Sequence, residues 1–294
     1  MRFTLRQLEV FLAVAHHQSI SRAADELAMS QSAVSGSLKE LEQKHSAQLF
    51  DRVGKRLQLN ELGARLRPSC EALLVQAAEL EQEFTQQRRA SEIRVGATLT
   101  VGNYLCVELI DRYRQRTGEG RVHLEVANTR HIVRELLDFN IDLGMIEGEV
   151  QHPDLDVIPW QSDELVCICA PAHHLAATGE LGIDEIGEVA WILREPGSGT
   201  RQTFERALRG YLSQLNISLE LQHTEAIKRA VQANMGVSCL SRIAVADALK
   251  RGDLVALAAP ALDLHRQLYV ILHRQKYLSA GLRTWLAVCG VAPR

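Results

Sequence analysis

Residues 19–63 read SISRAADELAMSQSAVSGSLKELEQKHSAQLFDRVGKRLQLNELG. Ser21 is placed to cap a helix that holds Ala23, Ala24, Leu27 and Ala28. Ser30 is placed to cap a second helix, whose apolar stripe is Ala33, Val34, Leu38 and Leu41. Only Met29-Ser30 separates the two, which leaves room for a tight corner, and small alanines stand where the helices would touch. Two short helices joined this way form a helix-turn-helix. After Leu49-Phe50 the pattern alternates, with Leu57 and Leu59 flanking Gln58 and a turn at Val53-Gly54-Lys55, so a small hairpin or wing is expected.

The second helix of such a motif enters the major groove, where its early residues must reach base edges and phosphates. Gln31, Ser32, Ser35 and Lys39 lie on or near one face of it, opposite Val34, Leu38 and Leu41. Helix-start amides near Ser21 and Ser30 are candidates for phosphate oxygens, and the wing adds Arg52, Lys55 and Arg56. Double-stranded DNA is the partner this constellation implies. Serines that only cap, and basic residues that are only solvated, would explain any one of these features but not all of them together.

Upstream, Thr4-Leu5-Arg6-Gln7 fits a capping box, followed by Leu5, Leu8, Leu12 and Ala15 at helical spacing. Downstream, from Asn60 to about Arg89, Leu62, Leu66, Leu73, Ala77, Leu80 and Phe84 form a narrow stripe with Pro68 inside it. A seam of this width calls for a partner helix, so residues 61–90 are expected to link and dimerise. From Glu92 onward, strands alternate with helices: Ile93–Ala97, Gly102–Arg116, Val122–Ala127, Ile132–Phe139, Asp142–Ile146 and so on to Leu282–Cys289. This predicts mainly parallel sheets covered by helices. The fold class expected is therefore α+β multidomain, with residues 1–60 a winged helix-turn-helix, 61–90 a linker helix and 91–294 an α/β domain.

Whole-chain numbers hide this organisation. The 294 residues carry a formal charge of -3, yet residues 1–67 hold ten Lys/Arg against seven Asp/Glu. With 46% hydrophobic and 23% charged residues the chain is globular, and apolar runs such as Leu254–Leu262 fall short of a membrane span. Arg6, Gln7 and Glu9 interrupt any signal-peptide core, so a cytoplasmic location is expected. Six scattered cysteines without a CxxC pair indicate neither a disulfide scaffold nor a zinc module. Cys167 and Cys169, two apart in an apolar run, should be small buried residues of a strand. His16-His17 and His173-His174 should point apart, so neither pair is expected to chelate, and no metal or cofactor is expected. No phosphate-binding loop, GxSxG elbow or helix-opening GxGxxG occurs, so no enzyme and no catalytic residue is expected. A free-standing solute-binding protein would leave the first 90 residues unexplained.

In the second half, three strand-to-helix turns share one chemistry: Thr98-Leu99-Thr100, Asn128-Thr129 and Ser198-Gly199-Thr200. Each offers amides at a helix start plus a hydroxyl or amide side chain, which together suit a small anion. Glu147, ending a strand beside them, should repel that anion unless it is protonated, bridged or turned elsewhere.

Residues 1–90 resemble the amino-terminal region of LysR-type transcriptional regulators through RQLEVFLAVA, SRAADEL, SQSAVSGSLKELE, LFDR and LQLNELG, and the remainder looks like their effector domain. The resemblance implies a two-lobed fold similar to periplasmic binding proteins, with lobe 1 about 91–163 and 266–294 and lobe 2 about 164–265. It also implies a homodimer or dimer of dimers, effectors bound between the lobes, and RNA polymerase as a partner. NTRHIVRELLDFNIDLGMIEG, DELVCICAP and LREPGSGTR look most like the sulfite-sensing branch. An aromatic acid would call for more apolar lining, of which Trp160 is one source, and a redox sensor would use cysteine pairs. Many relatives carry Arg just after the recognition-helix serine, where this chain has Gly36 followed by Ser37. That departure removes a side chain that would contact guanine or phosphate.

Overall fold

The computed structural model describes residues 2–54, 56–85, 92–118 and 120–292. Helix α1 (Leu5–His17) starts where expected: the Thr4 hydroxyl accepts from the Gln7 amide, and the Gln7 side chain accepts from the Thr4 amide. Helices α2 (Ile20–Glu26) and α3 (Gln31–Lys44) close a small core of Val10, Phe11, Val14, Ala23, Val34, Leu38 and Phe50. Ser30 caps α3, its hydroxyl 3.1 Å from the Ala33 amide. The cap of α2 is Ser19 rather than Ser21, with its hydroxyl 3.5 Å from the Arg22 amide. Ile20 packs against the core and draws the helix start back two residues, which leaves Ser21 exposed on the first turn.

Strands β1 (Phe50–Val53) and β2 (Arg56–Leu59) pair antiparallel as the wing, Phe50 opposite Leu59 and Val53 opposite Arg56. Lys55, at its tip, lies outside the described residues, as do residues 86–90 of the expected linker. Helix α4 (Glu61–Thr85) runs through Pro68 without a break and leaves Leu66, Leu73, Leu80 and Phe84 exposed. At 1.5 Å per residue it extends roughly 37 Å.

The rest of the chain is two lobes. Strand β3 (Glu92–Thr98), helices α5 (Leu99–Tyr104) and α6 (Cys106–Thr117), strand β4 (Arg121–Ala127), helix α7 (Thr129–Leu137) and strand β5 (Leu143–Ile146) begin the first. The helix expected over Gly102–Arg116 is thus two, divided at Leu105. Strand β6 (Leu155–Cys169) then runs from one lobe into the other. The second lobe holds β7 (Ala190–Arg194), α8 (Gly199–Ala207), β8 (Asn216–Leu221), α9 (Thr224–Gln232), β9 (Ser238–Ser241), α10 (Arg242–Arg251) and β10 (Val255–Leu257). Strand β11 (His265–His273) returns to the first lobe, which α11 (Ala280–Cys289) completes.

The sheets are mixed rather than mainly parallel. β3 pairs parallel with β4 and β5, and β7 with β8, but β6 pairs antiparallel with β11, β9 and β10, as does β5 with β11. The difference arises at the crossings between lobes, because two long strands that carry the chain out and back must run opposite ways. Tyr113 and Trp285 fill one face of the first lobe's sheet and Ile132, Leu136 and Ile271 the other. The second lobe is centred on Trp191 and Phe204, with Ile192, Ile227 and Leu240 beneath. Among the described residues no helix is long and apolar enough to cross a membrane.

Candidate nucleic-acid face and interlobe cleft

Val34, Leu38 and Leu41 turn α3 so that Gln31, Ser32, Ser35 and Lys39 all face solvent, and Arg52 and Arg56 are exposed on the wing. Among the described residues, no side-chain hydrogen bond or ion pair engages Gln31, Ser35, Lys39, Arg52 or Arg56, whereas Ser32 lies 3.0 Å from the Ser30 hydroxyl. Glu40, one position on, is held by Lys44 at 2.6 Å and by Gln7 at 3.1 Å. A Cβ added at Gly36 would meet nothing within 4 Å, so this mid-helix glycine is not required by packing. The face is a row of uncommitted donors and acceptors on a rigid helix, which is what a groove of base edges requires.

The cleft is the opposite case. Its turns converge from both lobes: Thr98-Leu99-Thr100 at the start of α5, Asn128-Thr129 at the start of α7, Ser198-Gly199-Thr200 at the start of α8, and Glu147 after β5. The lobes touch backbone to backbone here, since a Cβ on Gly199 would lie 2.5 Å from the Gly148 nitrogen. The Arg130 amide donates to the Gly197 carbonyl at 3.3 Å, and Asn128 reaches Glu195 at 3.1 Å.

Glu147 faces the cleft but is already held. Its carboxylate accepts from the Thr100 amide at 2.5 Å, the Thr200 hydroxyl at 3.0 Å and the Arg266 guanidinium at 3.2 Å. Arg266 also grips Asp163 through Nε at 2.7 Å and Nη2 at 2.6 Å, and Ser241 donates to that same aspartate at 2.9 Å. Burial raises the Glu147 carboxyl pKa, but the charge of Arg266, with the Thr100 hydrogen bonds and Arg194 behind it, outweighs burial and holds it below the ordinary 4.5. The Glu147 carboxylate is thus paired with a buried cation. Beside it, Arg194 is paired with Glu195 at 2.8 Å.

Arg266 and Asp163 are absent from the residues predicted for this site. Their one sequence signal is alternation: Arg266 shares a strand face with Leu268 and Val270, where a charge demands a buried partner. The Thr129 hydroxyl is buried yet has no hydrogen-bond partner among the described residues. It lies at the edge of a cavity of about 430 Å³ with Arg130, Ser198, Gly199 and Arg201, where the first turns of α7 and α8 meet. Ser198 caps α8 through the Arg201 amide at 3.4 Å, while Thr98 donates to the Met145 carbonyl at 3.4 Å. Leu99, with Asn128 and Glu195, borders a second opening of about 400 Å³.

Glu125, His131 and Glu135 are the one group among the described residues whose ligand-type atoms could share a metal ion, lying within 4.8 Å of one another. The hydrogen bond between the His131 ring and Glu125 at 2.5 Å accounts for that cluster without an ion. The adjacent histidines do not point apart: the rings of His16 and His17 are 4.7 Å apart and those of His173 and His174 4.4 Å, since both pairs sit at turns or helix ends. Their nitrogens go elsewhere, His16 to Asn140 and His173 to the Leu175 amide. Cys167 and Cys169 are fully buried, and burial pushes the thiols of Cys106 and Cys289 up to about 12. Reactivity needs the thiolate, so these cores favour packing over redox chemistry.

Family models match along the length of the chain: the LysR substrate binding domain at residues 86–292 and the bacterial regulatory helix-turn-helix protein of the lysR family at 5–64. An uncharacterized HTH-type transcriptional regulator of Escherichia coli K12, YeiE, is 44% identical over 99% of both chains. The RuBisCO operon transcriptional regulator of Allochromatium vinosum is 31% identical over 95% of this chain and 93% of its own. Among solved structures, full-length OxyR from Pseudomonas aeruginosa superposes with a TM-score of 0.75 at 19% identity, covering 98% of this chain and 95% of that one. The Synechocystis CcmR regulatory domain in complex with 2-PG gives 0.63 at 28% identity over 68% of this chain and 95% of that one.

Proposed function

The chain belongs to the LysR family of bacterial transcriptional regulators, and from that premise we propose that it is a DNA-binding switch set by a small oxyanion, of the sulfite kind, held between its lobes. It is a regulator and not an enzyme, as its relatives are. In this reading α3 lies in the major groove and presents Gln31, Ser32, Ser35 and Lys39 to bases and adjacent phosphates, while Arg52, Lys55 and Arg56 of the wing and the helix starts at Ser21 and Ser30 hold the backbone. The exposed stripe of α4 pairs two copies, and two such dimers assemble into a tetramer able to contact RNA polymerase. The linker spans about 61–90, and the lobes exchange at about 163–164 and 265–266.

The observation that carries the effector reading is Thr129: a buried hydroxyl without a partner among the described residues, at the meeting of two helix starts, beside carboxylates that are each paired with an arginine, Glu147 with Arg266, Glu149 with Arg206 and Glu205 with Arg201. An oxyanion with three acceptor oxygens would satisfy that hydroxyl and the amides of α7 and α8 together. Thr98, Leu99, Thr100, Asn128, Ser198, Gly199 and Thr200 shape its walls, and Glu147 with Arg266 sets its charge. The ligand switches DNA binding by favouring one arrangement of the lobes over the other.

Calorimetry of the full chain with sulfite, sulfate and simple carboxylates tests this. Saturable heat with sulfite is expected, weakened by about tenfold or more in Thr129→Val, which removes the hydroxyl and keeps the shape. Stronger binding of a carboxylate would move the proposal to an organic acid, and no heat with any anion would sink it.

A further inference from the structure

A further cavity lies away from the cleft. About 740 Å³ opens between the DNA-binding unit and the first lobe, within the range of small-molecule sites. One wall is the end of α1, strand β2 and the first turns of α4, with His16, Arg65 and Arg67. The other is the loop after α7 and the two loops flanking the ends of β6 and β11, with Asn140, His152 and His273. Among the described residues, the walls are tied across its rim by a hydrogen bond of 2.8 Å between His16 and Asn140, and the Arg67 guanidinium lies over the Phe139 ring at 5.8 Å.

Two features mark this space as more than a gap. Arg67 is more than nine-tenths buried, yet its Nε has no hydrogen-bond partner among the described residues, with the nearest carboxylate, Glu71, 3.7 Å away. A buried guanidinium N–H without an acceptor is a costly arrangement that a ligand would relieve. A second arginine and a neutral imidazole add further donors. Arg65 is exposed on the same helix. The Nδ1 of His273 accepts from the Gln275 amide at 3.2 Å, which leaves Nε2 to donate. Against these stand Asp138 and Asp154 on the lobe wall. Asp138 has its carboxyl pKa raised by burial.

We propose that this junction is a second ligand site, for a small carboxylate- or phosphate-bearing anion gripped by Arg67 and Arg65, and that its occupant fixes the helix-turn-helix against the first lobe. The site does not depend on the cleft reading. An anion here would bridge residues of α4 to the lobe beside the loop after α7, where Asn140 meets His16.

The test is calorimetry of the full chain with inorganic phosphate and with citrate as probes. One saturable site is expected for at least one of them, weakened about tenfold or more by Arg67→Gln and by Arg65→Gln. Because the buried substitution can cost the fold, Arg65→Gln and a thermal melt of each variant keep the result readable. Arg116→Ala, exposed on α6 outside the cavity lining, should leave the heat unchanged. The proposal is overturned if neither probe binds, if Arg116→Ala or the cleft variant Thr200→Ala removes the binding instead, or if all four variants bind like the parent.

Discussion

The recognition face and the cleft are both polar and both assembled at helix starts, yet they are built in opposite ways. On α3 the side chains that would meet a partner are exposed and uncommitted, whereas in the cleft Thr100, Glu147, Asp163, Thr200 and Arg266 already satisfy one another out of water. A surface that reads a large polyanion can leave its groups solvated, because the partner brings enough charge to displace that water. The cleft instead has a preset network beside which the Thr129 hydroxyl is buried without a hydrogen-bond partner among the described residues, and on the proposed reading that position is where a small ion would be selected.

The contrast is tested hardest at Arg266. Replacing it with Met leaves Glu147 and Asp163 buried and unpaired, which should destabilise the effector domain by about 3–5 kcal/mol in urea unfolding. Adding Glu147→Gln and Asp163→Asn should recover most of that loss, and a cost below ~1 kcal/mol for Arg266→Met alone would mean the network is no better committed than the face. The same ion pair predicts the acid limb. The Glu147 carboxyl lies below the ordinary 4.5 in the folded chain, so its contribution is complete above that value and is lost as pH falls through the folded one. Glu147→Gln should remove that part of the acid sensitivity.

Gly199→Ala probes how tightly the closed cleft is built. With backbone 2.5 Å from the added methyl, there is no flexible side chain to yield, and closure should cost about 1–3 kcal/mol. The expected result is a weaker effector response and a larger radius in small-angle scattering, with DNA affinity of the ligand-free protein little changed. An unchanged radius and response would show that the lobes need not meet here.

These expectations also mark where the sequence was legible. The helix-turn-helix could be read almost entirely, because its caps, stripe and corner are local: Ser30, Val34 and Leu38 act within one turn or two of themselves. The one misplaced cap, Ser21 for Ser19, turned on Ile20, which packs partly buried against a core drawn from several elements of the unit rather than from its own turn. In the cleft, the turns were legible for the same local reason, while Arg266 was not, since it meets Glu147 and Asp163 across 119 and 103 positions. The antiparallel crossing of β6 and β11 was hidden likewise, for strand direction is a property of the path between strands rather than of their composition.

On the recognition face the effects should be smaller and should appear in binding rather than in stability. Ser35→Ala should cost about 1–2 kcal/mol in specific binding and less in non-specific binding. Lys39→Ala should instead weaken all duplexes and flatten the salt dependence by about 0.9 in log–log slope. Neither should move the unfolding midpoint, because both side chains are exposed and make no hydrogen bond or ion pair among the described residues; a large shift in either would break the contrast with the cleft.

Gly36 sharpens that contrast at the lowest energy. A glycine inside a helix costs roughly 0.5–1 kcal/mol relative to alanine, and nothing within 4 Å opposes a methyl at this position, so Gly36→Ala should stabilise the protein by about that amount. A fold that forgoes such a gain at an exposed site has another use for the gap, and the recognition helix offers one: close approach of its backbone to the groove. Gly36→Ala should therefore raise the thermal midpoint while weakening operator binding, the two moving in opposite directions. If stability and affinity rise together, the glycine does no work at the interface, and the bare surface of α3 is free of constraint rather than reserved for DNA.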